Sequence, residues 1–316
     1  MRLTATIERL PLHTPFRIAR GVKDVAEVVV VGIEGTARTG RGEAVPYPRY
    51  GESAAGVLAE IEAVRSAVEG GLSRADLLTA MPAGAARNAV DAAMWDRERP
   101  DPGFVAGQLT SALTIGLDTP DAMAAAAARV ADAPLLKVKL GADDPAARLI
   151  AVRAAAPGPR LIVDPNESWD RAILDAITPL LVEQRVALLE QPVPAGADDW
   201  LEGYDAGVPI CADESFHGAE DLAAVARRYQ AVNVKLDKTG GLTAALALVP
   251  MIRAAGLGLM TGCMISSSLS IAAAWRIAQA SDFVDCDGPL WLAHDREGGV
   301  RNERGILHPP APGFWA

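Results

Sequence analysis

What most constrains this chain is a rhythm of short apolar runs that end in charge. Leu135-Leu-Lys-Val-Lys-Leu140, Leu161-Ile-Val-Asp164, Ala187-Leu-Leu-Glu190, Val208-Pro-Ile-Cys-Ala-Asp213, Val232-Asn-Val-Lys235 and Phe283-Val-Asp-Cys-Asp287 all read as buried strands. Counted from Lys139, the groups Asp164, Glu190, Asp213, Lys235, Thr261 and Asp285 follow at intervals of 25, 26, 23, 22, 26 and 24 residues. One strand, one helix and two short loops occupy about 20–30 residues. A chain repeating that unit, with polar groups at each strand end, predicts a (β/α) barrel whose working groups sit on the C-terminal rim. A doubly wound sheet would gather its site at one or two switch points instead.

The same reading places the first barrel strand at Ala112–Gly116 and the last at 283–287, with helices near 120–131, 143–156, 170–185, 218–229, 241–255 and 267–280. Residues 1 to 50 look different. Leu3–Leu10 alternates loosely and Glu27–Glu34 is a strong strand, while Pro15–Lys23 between them is basic and predicts a mobile loop. Pro46–Glu52 is a structured turn, and helices are expected over 53–70 and 84–99. Strands first and helices after make an α+β unit. The breaker-rich Glu98-Arg-Pro-Asp-Pro-Gly103 is the expected boundary, which divides the chain into a capping unit, 1–104, and a barrel, 105–291; the Gly- and Pro-rich tail, 292–316, is expected to return to the capping unit.

Composition bears on partners. With 316 residues, half of them hydrophobic, the chain can bury a large core. A net charge of −10 and a pI near 5.0 argue against nucleic acid or an anionic membrane as partner, since both want a basic surface. No long uncharged apolar stretch could span a bilayer, and Met1–Glu8 has no signal-peptide core. Three sparse cysteines, Cys211, Cys263 and Cys286, suit reduced thiols, so a cytoplasmic setting is expected.

The strand ends carry the chemistry. Asp164, Glu190 and Asp213 end three consecutive strands, so their carboxylates should converge, and clustered carboxylates repel unless a cation sits between them. An all-oxygen set suits Mg²⁺. The plainer alternative is a row of rim acids paired with lysines. Lys137 and Lys139 share the inward face of their strand. Lys235 should lie across the barrel from Lys139, an arrangement able to remove a proton from one face of a carbon and return one to the other. For a lysine to act as the base its pKa must fall, here through Lys137, the metal and desolvation. A carboxylate substrate held on the metal would pass through an enediolate. Asp285 and Asp287 share a strand face and want a cation, either a second metal or a substrate ammonium group. Of the four histidines (His13, His217, His294, His308), none falls where a base is needed.

Lys137-Val-Lys139, Asp164-Pro-Asn166, Glu190-Gln-Pro, Ala212-Asp-Glu-Ser215 and Val234–Leu242, taken together, resemble the muconate-lactonizing subgroup of the enolase superfamily, and Asp285-Cys-Asp-Gly-Pro289 is similar to an element of its dipeptide epimerases. The similarity extends to Pro11–Pro15, Pro46–Gly51 and Pro82–Asn88. This resemblance implies an α/β fold, a modified (β/α)7β TIM-like barrel with the α+β cap completed by the tail, and an isomerase that inverts the α-carbon of the C-terminal residue of Ala-Glu-like dipeptides. It implies Lys139 and Lys235 as acid/base catalysts, Lys137 and Asn166 as assistants, and Asp164, Glu190 and Asp213 as Mg²⁺ ligands. Asp285 and Asp287 would hold the dipeptide ammonium. The loop from Arg20 to Lys23 would meet an acidic distal side chain, with Lys23 standing where relatives are expected to carry arginine, and Gly262–Ser267 lacks the acid that many subgroup members carry. Relatives commonly assemble, which leaves a homo-oligomer open. N-acyl amino acid racemisation and syn-elimination share the lysines and metal, but an N-acyl substrate offers no ammonium to the two aspartates; a sugar-acid dehydratase would need a histidine base at the seventh strand end. A non-catalytic dipeptide binder would leave the opposed lysines unexplained.

Overall fold

The computed structural model describes residues 1–35, 38–99 and 106–315. An antiparallel sheet, β1 (Arg2–Ile18), β2 (Gly21–Glu34) and β3 (Thr39–Ala44), opens the chain, and three helices, α1 (Ala54–Glu69), α2 (Arg74–Ala80) and α3 (Ala85–Glu98), cover one of its faces. Glycines allow the close approach: a Cβ on Gly42 would stand 2.1 Å from the Ala89 carbonyl oxygen of α3, and one on Gly40 2.1 Å from that of Ala93. The stretch expected as a mobile loop, Pro15–Lys23, is instead the tip of a long β1–β2 hairpin. Its pairing holds to Ile18↔Gly21 after a register shift between Pro11 and Phe16. Strand pairing of Phe16 with Lys23, Arg17 with Val22 and Ile18 with Gly21 holds this basic stretch extended. Helix α2 has no counterpart in the sequence reading. The expected boundary at 98–103 falls largely on residues 100–105, outside the described residues.

A short strand, β4 (Leu109–Thr110), precedes the barrel. The barrel strands are β5 (Leu113–Ile115), β6 (Leu135–Lys139), β7 (Arg160–Asp164), β8 (Val186–Glu190), β9 (Ile210–Ala212), β10 (Ala231–Val234), β11 (Gly258–Gly262) and β12 (Phe283–Asp285), all parallel and paired in sequence order. The Ala112 amide donates to Val284 O at 2.8 Å and joins the first strand to the last. Outside the strands run α4 (Pro120–Ala128), α5 (Pro145–Ala155), α6 (Arg171–Glu183), α7 (Leu222–Arg228), the short α8 (Leu236–Thr239), α9 (Leu242–Ala254) and α10 (Ser268–Ala278). The connection from β8 to β9 holds a 3-10 turn, Asp199–Leu201, in place of an α-helix. No helix among the described residues is long and apolar enough to cross a membrane.

The tail reaches both parts. Strands β13 (Arg301–Glu303) and β14 (Ile306–His308) extend a small sheet through β4. Arg296 bonds Glu8 of β1 and buried Glu43 of β3, and Trp315 Nε1 donates to Arg41 O at 3.0 Å. Cap and barrel are also gripped directly. Arg87 of α3 donates to the carbonyls of Thr239 and Gly240 at 2.7 and 2.9 Å, and Asp237 of α8 accepts from Val45 N at 3.0 Å and Asn88 Nδ2 at 2.8 Å.

Candidate active site

Alternation along the barrel strands sorts inward side chains into layers. The lower layer is apolar: Ala112, Leu135, Ile162, Leu188, Ala231 and Met260 pack together and close the floor. Two residues further along most of the strands the inward positions turn polar, and Lys137, Asp164, Glu190, Asp213, Asn233 and Asp285 form a buried ring above that floor. Charge at strand ends is therefore inward charge, as the sequence pattern predicts.

Lys137 lies at the centre of the ring. Its Nζ is 2.7 Å from Glu190 Oε2, 2.7 Å from Asp285 Oδ2 and 3.0 Å from Asp164 Oδ2. Lys139, one layer higher, donates to Asp164 Oδ2 at 2.5 Å. Lys235, four strands away in an eight-stranded barrel and hence on the opposite side, donates to Asp213 Oδ2 at 2.7 Å. Asn166 braces Asp164 from the β7 terminus: its backbone N–H reaches Oδ1 at 2.9 Å and its Nδ2 reaches Oδ2 at 3.2 Å. Strand β12 ends at Asp285, so Asp287 does not share a strand face with it but stands two residues beyond, just before the 3-10 turn Gly288–Trp291; its Oδ2 accepts from the Thr114 amide at 2.8 Å, while Asp285 Oδ1 is buried with no hydrogen-bond partner among the described residues.

Burial and neighbours set the protonation equilibria. Burial pushes Glu190 up to about 7, with the Asp164 charge adding to it, whereas Lys139 and Lys137 overcome burial at Asp164 and hold it near 2. Burial and Asp285 raise Asp287 to about 6. Lys235 feels burial and Lys137, as the sequence reading expects, together with Asp213. Burial and Lys137 do pull it down, but Asp213 beside it wins and holds it well above the ordinary lysine range. Lys137 is raised in the same way by Asp285, Glu190 and Asp164 against the pull of burial.

Among the described residues no three acidic, histidine or cysteine side chains gather their donor atoms around one point; lysine ammonium groups stand between the carboxylates. The donor chemistry nonetheless fits a hard divalent cation. It is all oxygen, and the buried Asn166 Oδ1 has no hydrogen-bond partner. Glu190 Oε2 lies against the Lys137 ammonium at 2.7 Å without an aligned hydrogen bond. Asp164, Glu190 and Asp213 are the residues able to hold such an ion.

A cavity of about 480 Å³ opens above the ring, between the barrel mouth and the cap. Lys139, Lys235, Asp285 and Asp287 line it from below; Phe16, Ile18, Arg20, Lys23, Arg49 and Tyr50 line it from the cap. The guanidinium of Arg20 is engaged by the barrel rim: it bonds Asn166 O at 2.9 Å, Glu167 Oε2 at 3.0 Å and Tyr47 Oη at 3.2 Å, and pairs with Glu214 Oε1 at 2.6 Å. Arg49 takes Glu167 through two bonds, at 2.8 and 2.9 Å. Lys23 has its ammonium 4.9 Å above the Tyr47 ring. His13 and His217 pack against Trp291 and Tyr50 respectively.

Several site residues escape sequence reasoning. Asn233 donates to Glu190 Oε1 at 2.9 Å; its place two residues before Lys235 on the same face was the available signal. Fully buried Lys238 donates to Asp213 Oδ1 at 2.7 Å and Asn233 O at 3.0 Å from the first turn after β10, where strand alternation no longer predicts direction. Gly262, at the inward position of β11, leaves space for its neighbours: a Cβ there would stand 2.6 Å from Asn233 Oδ1 and 3.0 Å from Lys235 Cε.

Comparison with known proteins matches the chain to two family models. Residues 1–99 match the mandelate racemase / muconate lactonizing enzyme N-terminal domain, and residues 122–314 match the enolase C-terminal domain-like family. The chain is 47% identical to the L-Ala-D/L-Glu epimerase of Escherichia coli K12, over 95% of this chain and 97% of that one. It is 39% identical to an N-acetyl-D-glutamate racemase of a Pseudoalteromonas species, over 91% and 95%. Among solved structures, an enolase family member of Agrobacterium tumefaciens with homology to dipeptide epimerases, with bound sodium and L-Ala-L-Glu, superposes with a TM-score of 0.96 at 47% identity and 99% coverage of both chains. A dipeptide epimerase of Enterococcus faecalis complexed with Mg and L-Leu-L-Tyr gives 0.89 at 28% identity, covering 99% of this chain and 98% of that one.

Proposed function

Because the chain belongs to the enolase superfamily, in its mandelate racemase and muconate-lactonizing branch, we propose that it is a Mg²⁺-dependent dipeptide epimerase acting on L-Ala-D/L-Glu-like dipeptides, an isomerase that inverts the α-carbon of the C-terminal residue. The observation that carries this reading is the opposition of Lys139 and Lys235 across one cavity, with three buried carboxylates between them. Asp164, Glu190 and Asp213 would hold Mg²⁺, which when bound would offset part of their charge and supply Lewis-acid polarisation of the substrate carboxylate. One lysine removes the α-proton and the other delivers a proton to the opposite face, the roles reversing with the direction of reaction. Lys137, pinned among three carboxylates, keeps positive charge beside the developing enediolate. Asn166 fixes the rotamer of Asp164.

Asp285 and Asp287 support a substrate with a free ammonium group: two buried acids, one at the end of β12 and one just beyond it, with one oxygen unpartnered among the described residues, want a cation. The same pair counts against the second reading, racemisation of an N-acyl amino acid, which the 39% relative favours. On the cap side, Lys23 lines the cavity without a carboxylate partner among the described residues and suits an acidic distal side chain, while Arg20 contributes its position at the rim. We assign residues 1–104 with 292–316 to the capping unit and 105–291 to the barrel, and place the reaction in the cytoplasm on the strength of three free thiols.

The test is proton exchange followed by NMR in deuterated water with Mg²⁺, over a panel of L,L-dipeptides and N-acyl amino acids. Deuterium at the α-carbon of the C-terminal residue of Ala-Glu-like dipeptides, abolished by a chelator, is the expected result. Exchange confined to N-acyl amino acids would replace the dipeptide reading with the racemase.

A further inference from the structure

The connection between β8 and β9 is the one that departs from the barrel repeat, and it lies beneath Asp213. Strand β9 ends at Ala212, so Asp213 stands just beyond the sheet ladder, in a turn. A side-chain carboxamide substitutes for the missing ladder. Gln191 Oε1 accepts the Asp213 amide at 2.9 Å and the Ser215 amide at 3.1 Å. Its Nε2 shares two hydrogens among Val193 O at 2.9 Å, Ser215 Oγ at 2.9 Å and Tyr229 Oη at 3.1 Å. Both hydroxyls then donate to buried Asp198 Oδ2, at 2.6 and 2.5 Å, and Arg228 holds the other oxygen of Asp198 at 3.0 Å.

The backbone is arranged to make this contact. Gln191 has φ +33, a left-handed conformation uncommon for a residue with a Cβ. That turn lets two consecutive residues serve the same site from different sides: Glu190 aims into the barrel, and Gln191, with none of its surface exposed, reaches under the neighbouring strand end. Strain of this kind persists where the surroundings over-determine it.

We propose that Gln191 is a positioning residue that sets Asp213 relative to Glu190, so that the two carboxylates meet one divalent cation; this rests on the Mg²⁺ reading above. The amide is required as an amide. Its oxygen must accept two N–H groups while its nitrogen donates into a cluster that ends in the Asp198 carboxylate. Glutamate, equal in shape, would set a second carboxylate oxygen against Val193 O and a second negative charge near Asp198.

The experiment is titration of the full-length protein with Mn²⁺ alone, free ion being followed by electron paramagnetic resonance, for the parent, Gln191→Glu and Gln191→Met, with circular dichroism and thermal melts of each metal-free protein. Support is a rise of about 10- to 100-fold in Kd for the variants, the range typical when the groups orienting a metal ligand are lost. A Kd within about twofold of the parent in any folded variant, even one with a lower Tm, overturns the proposal and leaves Gln191 a purely structural residue. Should neither variant fold, Tyr229→Phe decides, since it keeps Gln191 but removes one acceptor of Nε2: about a threefold weaker Kd supports the proposal and an unchanged Kd overturns it. Absence of Mn²⁺ binding by the parent would sink the metal reading and this inference with it, whereas parent binding with unaltered variants sinks the inference alone.

Discussion

Replacing Asp237 by asparagine is expected to stabilise the protein, by an amount that grows as pH rises from 3.8 to about 7. Asp237 sits where α8 meets the cap, and both of its hydrogen bonds, from Val45 N and Asn88 Nδ2, go to the same oxygen, Oδ1. An asparagine keeps that oxygen and changes only the other position. Burial lifts the carboxyl from 3.8 to about 7, Glu52 and Glu43 adding to the effect and the two hydrogen bonds opposing it. The folded state therefore holds a proton that the unfolded chain has released between those two values. Stability from this group is complete below 3.8 and is lost as pH rises through 7. A displacement of about three pH units corresponds to about 4 kcal/mol. Asp237 also borders a polar cavity of about 530 Å³, and water there screens the charge, which brings the figure to roughly 2–4 kcal/mol. Asparagine has no such loss. Urea unfolding of parent and variant at half-unit steps from pH 5.5 to 8 should show the variant's advantage growing by about 1–2 kcal/mol up to pH 7 and then levelling off. A difference that does not change with pH would mean that Asp237 is ionised in the folded protein throughout, and would refute the reasoning.

Four further outcomes are expected. Lys139→Ala and Lys235→Ala should each lower epimerisation by about 10²–10⁴-fold, while each keeps α-deuterium exchange from one epimer alone, as NMR in deuterated water would reveal. Asp285→Asn should reduce kcat/KM for dipeptides by about 10–100-fold, some 1.4–2.7 kcal/mol, and leave exchange into any N-acyl amino acid unchanged. Chelation should abolish activity, and Mg²⁺ should restore it in a titration of rate against metal. Gly42→Ala should cost about 1–3 kcal/mol in thermal or urea unfolding, because its Cβ would sit 2.1 Å from Ala89 O and force β3 off α3.

The barrel and its ring of charge were legible because both are written locally. A strand end shows its last inward residue two positions after the previous one, and the spacing of Asp164, Glu190 and Asp213 follows from the length of one βα unit. What stayed hidden depends on contacts distant in sequence. Arg20 looks like a free cation on a loop, yet Glu167 and Glu214 claim it across the barrel mouth. Gln191 reads as one letter of a short motif; its role appears only when Asp213 lies beside it. Strands β4, β13 and β14 have two or three residues each, too few for alternation to register. For Lys235 the sequence showed the charge of Lys137 nearby but not that its nearest neighbour would be Asp213, whose opposite charge outweighs both desolvation and the more distant Lys137.

The apolar floor of the barrel has a consequence for traffic. Leu135, Ile162, Leu188 and Met260 plug the lower end of the tube, so the reactant and its epimer use the same doorway under the β1–β2 tip. Neither can leave while the other enters. A catalyst of this shape exchanges both species through one mouth, and once proton transfer is fast, its pace passes to release through that mouth. Turnover should then slow with added viscogen in both directions alike, a symmetry that a barrel open at both ends would not impose.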